Sequence, residues 1–135
     1  MPCTYSITWK DKYKCKIMVE VLNTWHPVAK KEHRCQYCGG VIKAGEKYMR
    51  QTNVYEGHIY DWICHCDCEK IASELDMFGR TWSDGIDANE FNEFVWDAIY
   101  ELRPNDEEAE NMTTQEAIQW LLSQPREVIN KAIHY

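Results

Sequence analysis

Cys35-Gln36-Tyr37-Cys38-Gly39-Gly40, joined further on by His65-Cys66-Asp67-Cys68, is the part of this 135-residue chain whose reading decides the fold. Written as spacing it is C-x2-C-x26-H-x2-C. Two residues between ligands let a tight knuckle aim both sulfurs at one ion, and the glycines after Cys38 permit the turn. Zinc favours a tetrahedral shell of thiolate and imidazole donors, so Cys35, Cys38, His65 and Cys68 would complete a closed site for one ion. A closed shell leaves no position for water, which makes the expected zinc structural rather than catalytic.

The neighbouring cysteines keep alternatives open. The chain has seven cysteines, an odd number, and five of them fall between residues 35 and 68. Cys64 and Cys66 flank His65 and are alternative ligands; otherwise they are spare thiols, one on each side of the last strand. Cys3 and Cys15 stand alone. Clustered cysteines in a reducing compartment are read as metal ligands before disulfides. No charged region followed by an apolar block opens the sequence, and no run approaches a membrane span, so the expectation is a cytoplasmic protein that does not enter a membrane. His26, His33, His58 and His134 read as surface or loop residues, with His33 a weaker candidate for orienting a ligand from behind.

Working outward from the cysteines, the chain changes character twice. Before them, Thr4 to Trp9 and Tyr13 to Leu22 read as two strands around the polar turn Lys10-Asp11-Lys12. Between the ligand pairs, Lys47 to Val54 and His58 to Ile63 read as a hairpin turning at Glu56-Gly57. Tyr37, Tyr48, Tyr55 and Tyr60 are expected to pack it. After residue 68 the period becomes helical. Ile71, Ala72, Leu75 and Phe78 form one stripe, stopped by Gly79. Asp87 and Glu90 make a capping signature for a helix with Phe91, Phe94, Val95, Ala98, Ile99 and Leu102 inward, ending before Pro104. Asn105 to Asn111 reads as an acidic loop. Thr113 and Glu116 cap a helix carrying Ala117, Ile118, Leu121 and Leu122, and Pro125 opens a last helix with Val128, Ile129, Ala132 and Ile133 inward. Asp84-Gly85-Ile86-Asp87 echoes a calcium loop, but the matching register puts Arg80 and Trp82 where carboxylates belong.

The expected class is therefore α+β: an N-terminal β-hairpin and lead-in (residues 1–32), a zinc finger (33–80) and an acidic region of about four helices (81–135), packed as one domain. The finger alone has too few apolar residues to fold without its metal.

From His33 to Ala72 the chain resembles treble-clef fingers of the LIM and PARP type, which share C-x2-C, a hairpin, a Trp shortly before the His, and H-x2-C. It is also similar to small zinc-finger proteins of bacterial and phage genomes with a Lys- and Arg-rich lead into C-x2-C-G-G. The residues carrying the likeness are Trp62, Gly45, Tyr48, Arg50 and the four ligands. The resemblance implies a treble clef. Trp62 lies three residues before His65, where the PARP-type fingers have two, so the likeness does not carry their DNA-end recognition.

Charge divides the chain. Residues 1–66 hold ten Lys and Arg against six Asp and Glu, whereas residues 67–135 hold five against sixteen, balances of +4 and −11 within the net −7. The leading functional expectation is a non-enzymatic, zinc-stabilised protein-interaction module. It would be an accessory or inhibitory protein of a phage or mobile element whose acidic helical face meets a basic, nucleic-acid-binding host protein. The alternative is a nucleic-acid-binding finger using Lys30, Lys31, Arg34, Lys43, Lys47 and Arg50. A treble-clef nuclease is the third, with His58, Asp61 and His65 as its nearby candidates.

Overall fold

The computed structural model describes residues 20–81 and 85–135. The first expected strand, Thr4 to Trp9, lies outside these residues, as do Cys3 and Cys15; so does Tyr13 to Leu22 up to residue 19. The chain is a mixed α+β structure with antiparallel sheets and six helices among the described residues. Strands β1 (Glu20–Trp25), β4 (Tyr48–Tyr55) and β5 (His58–His65) form one sheet in the order β1-β4-β5, and β2 (His33–Arg34) pairs with β3 (Val41–Ile42) in a second. The helices are α1 (Cys66–Glu74), α2 (Met77–Arg80), α3 (Ala88–Leu102), α4 (Glu107–Glu110), α5 (Thr114–Leu122) and α6 (Arg126–Asn130).

The hairpin forms where its alternation and turn residues place it. Tyr55 pairs with His58 across a two-residue turn in which Glu56 and Gly57 both have positive φ, 49° and 82°. That is the conformation whose twist matches the flanking strands. The register carries Tyr48 opposite His65, so the strand that ends on a histidine delivers it directly to the start of α1. β1 continues through Trp25, three residues past the expected strand end, because it pairs along β4 as far as Arg50.

Helix boundaries follow their caps. Asp87 accepts the Glu90 N–H at 2.8 Å to open α3. Thr113 and Glu116 exchange both hydrogen bonds of a capping box at the start of α5. The expected acidic loop at 105–111 contains α4, because the Asp106 carboxylate accepts the Ala109 N–H and nucleates a turn. A second difference falls at the end of α1. Asp76 adopts φ 48°, which breaks the helix and restarts it as α2 with its phase shifted. Met77 is consequently buried and Phe78 is 58% exposed, so Phe78 does not belong to the inward stripe, and Gly79 lies inside α2 instead of stopping a helix.

One contiguous core joins both halves. It runs from Ile42, Tyr48 and Cys64 through Ile71 and Leu75 to Phe91, Val95, Ile99, Ile118 and Leu121. Tyr37 is the hinge of this packing. Its ring lies on Phe91, centroids 4.5 Å apart, and meets Trp62 edge-on at 5.1 Å. Tyr48 is also buried, but Tyr55 and Tyr60 are exposed at the hairpin tip, too far along the strands for the helices to cover them. Trp120 is half-buried, with the Arg103 guanidinium 5.0 Å above its ring.

Candidate metal centre

The β2–β3 pair closes the loop that carries Cys35 and Cys38. Cys35 N–H donates to the Gly40 carbonyl at 2.9 Å and Gly39 N–H to the Cys35 carbonyl at 3.0 Å. Gly39 holds φ 75°, a conformation side chains resist. Gly40 lies close under α5: a Cβ there would stand 1.9 Å from the Gln115 amide, so that side chain would have to swing away. The second pair of residues comes from the junction of β5 and α1, with His65 ending the strand and Cys68 in the first helical turn.

Four donor atoms converge. Those of Cys35, Cys38, His65 and Cys68 lie within 4.8 Å of one another, close enough to hold one metal ion. The Cys35 and Cys68 sulfurs are 3.7 Å apart, and His65 Nδ1 is 3.3 Å from Cys38 Sγ and 3.8 Å from Cys68 Sγ. Tetrahedral zinc with bonds of about 2.3 Å to sulfur and about 2.0 Å to nitrogen would separate such donors by roughly 3.5–3.8 Å. The donor set therefore fits the ion in chemistry and in size.

The surroundings prepare the same donors for a cation. Backbone N–H groups of Tyr37 and Cys38 point at Cys35 Sγ, each at 3.4 Å, and that of His65 at 3.5 Å. Gly40 N–H approaches Cys38 Sγ at 3.4 Å, and the Gln115 amide approaches it at 3.8 Å. Such donors stabilise sulfur as thiolate. His65 Nε2 lies 3.0 Å from the Val41 carbonyl, which fixes the proton on Nε2 and leaves the Nδ1 lone pair toward the sulfurs. The thiols also act on one another. Hydrogen bonding from Cys35, then Cys68, pulls the Cys38 thiol down. Hydrogen bonding to Cys38 pushes Cys35 up, and hydrogen bonding to Cys35 pushes Cys68 up. Three thiolates around one point repel, so all three ionise together only when a cation sits among them.

Cys64 and Cys66 do not belong to the converging group. Cys64 is fully buried opposite Met49, and burial pushes its thiol up. Cys66 turns its sulfur to the Lys47 carbonyl at 3.5 Å. His33 packs its ring against Tyr48, and the support behind His65 comes from the Val41 carbonyl. Neither the Val41 carbonyl nor Gln115 has a signature in the sequence, since every residue has a backbone carbonyl and Gln115 lies 77 positions from Cys38. The doubled glycine was the one available hint of a close neighbour.

The basic residues separate. Lys30, Lys31 and Arg50 line one groove with Trp25 and Tyr48, while Lys43 lines another beside His65. Arg34 donates to the Gly39 carbonyl at 2.9 Å, and Lys47 is exposed on the strand side. Arg50 is bound to Asp61 at 2.7 Å. His58 stands at the opposite end of β5 from His65. No helix among the described residues is long and apolar enough to cross a membrane.

No protein-family model matches this chain, and no match is found among curated proteins or solved structures.

Proposed function

We propose that the chain is a non-enzymatic, zinc-stabilised module for protein interaction, with one structural zinc on Cys35, Cys38, His65 and Cys68. The observation that carries the reading is the convergence of those four donors, with His65 oriented by Val41 and every ligand held by sheet, knuckle or helix. When bound, the ion would neutralise the thiolates and tie knuckle, hairpin and α1 together, the succession of elements in a treble clef. All four positions of a tetrahedral ion are taken by protein, which disfavours a catalytic role. The exposed surface of the helical half carries the acidic excess and would meet a basic partner.

The test is bound metal in purified protein. One zinc per chain is expected, lost in Cys38→Ser and kept in Cys66→Ser; a metal-free wild type refutes the reading.

A second reading, nucleic-acid binding, has one observation in its favour. Lys30 and Lys31 share a groove of about 630 Å³ with Trp25, a cationic surface beside an aromatic ring. Binding of single-stranded DNA that falls steeply with added salt would support it.

A further inference from the structure

A second groove, of about 700 Å³, runs between the metal centre and the helical half. One wall belongs to the finger, with Val41, Glu46, His65 and Asp67; the other belongs to the segment from Glu108 to Trp120. Its apolar surface comes from Val41, Met112 and Trp120, each half-buried and therefore still able to lose water on contact.

The charge around that apolar strip is one-sided. Glu46, Asp67, Glu108 and Glu116 line it, against Lys43 and Arg103. Arg103 is already neutralised by Asp106 at 2.8 Å and lies over Trp120. Three of the carboxylates are held by neutral donors: Glu46 by the Lys43 N–H, with His65 Nε2 a further 3.8 Å from its other oxygen, Asp67 by the Gln119 amide at 2.6 Å, and Glu116 by the Thr113 N–H. Those bonds orient the carboxylates without cancelling their charge. Glu108 is exposed at the rim. An apolar strip flanked by fixed, uncompensated carboxylates is complementary to a side chain that is apolar next to ones that are cationic.

We propose that this groove docks a basic peptide segment of a partner protein, with an apolar side chain laid on Met112 and Trp120 and Arg or Lys side chains reaching Glu108 and Asp67. This rests on the zinc-stabilised reading above and adds the location and chemistry of the partner. It also couples docking to the metal, because Val41, Glu46 and Asp67 sit on β3, the turn after it and α1, which the ion would hold together.

The experiment uses the full zinc-loaded chain and a dye-labelled peptide of alternating Arg and Leu, followed by fluorescence anisotropy. A peptide of equal charge with Ser in place of Leu is the comparison. Glu108→Lys is expected to weaken the Arg-Leu peptide roughly tenfold. Glu93→Lys makes the same charge change on an exposed position of α3 outside the groove and should change affinity by no more than about twofold. The Ser peptide should bind more weakly than the Leu peptide, and chelation should abolish docking. Equal losses in the two Lys variants, or equal binding of the two peptides, would overturn the groove and leave only an acidic surface. Tighter binding of single-stranded DNA than of the peptide would overturn it too. Zinc content measured on the same samples separates the two levels: zinc present with no groove preference sinks this proposal alone, and zinc absent sinks its foundation.

Discussion

The ring of Tyr37 lies nearly parallel to that of Phe91, with centroids 4.5 Å apart and planes inclined by 13°. Tyr37 stands between the two knuckle cysteines and Phe91 on the first turns of α3, so this stack joins the knuckle to the helical half. The Asn92 amide adds a long contact to the Tyr37 carbonyl at 3.4 Å. Finger and helices are therefore expected to unfold as one unit. Tyr37→Ala should cost about 3–5 kcal/mol through lost burial and the cavity left behind, whereas Tyr37→Phe should cost under about 1 kcal/mol. Denaturant unfolding followed by both tryptophan fluorescence and helical circular dichroism checks this. Separate midpoints for the two signals would contradict a shared core.

The donor set makes a spectroscopic prediction. Cobalt(II) in place of zinc should give the visible absorption of a tetrahedral site with sulfur charge-transfer bands. His65→Cys should retain the metal with bands shifted toward a four-thiolate site, and His65→Ala should bind it at least about tenfold more weakly. An octahedral spectrum in the wild type would contradict the assignment.

Removal of the metal should lower the melting temperature by more than Thr113→Ala does and by about as much as Cys38→Ser, since binding energy at a structural zinc is folding energy. Acid should do the same, because protons compete with the metal for thiolate and imidazole. Thermal scans with and without a chelator, at neutral and mildly acidic pH, read both effects.

Thr113 is a local prediction. It accepts the Glu116 N–H at 3.1 Å, and Glu116 accepts the Thr113 N–H at 2.9 Å. Thr113→Ala should cost about 1 kcal/mol of stability. Urea titration measures it, and an unchanged midpoint would show that tertiary packing alone holds α5.

Asp61 carries the pH prediction. Hydrogen bonds from Arg50, then Thr52, hold its carboxyl below the ordinary value. A depressed folded-state value means the contribution is fully present above the usual carboxylate range and is lost as pH falls through the depressed value. Arg50→Gln should move the Asp61 titration upward, read by carboxyl NMR; the pair is exposed, so the stability change should stay small.

Much of this protein was legible in the sequence because the signals are short-range. The candidate ligand pairs with two residues between them, the Glu56-Gly57 turn, both capping signatures and the stripe of α3 depend on spacing within a turn or two, and each lies where its spacing places it. What the tertiary structure decided depends on residues far apart in the chain. A single left-handed Asp76 re-phased the chain and exchanged Phe78 for Met77 in the core. The length of the hairpin beyond the helices left Tyr55 and Tyr60 in solvent. Folding split the basic residues between separate surfaces, although the sequence sets several of them close together. It also brought Val41 behind His65 and Gln115 against Gly40, contacts that no local pattern encodes because they arise only when the knuckle packs onto α5 and the hairpin returns beneath it.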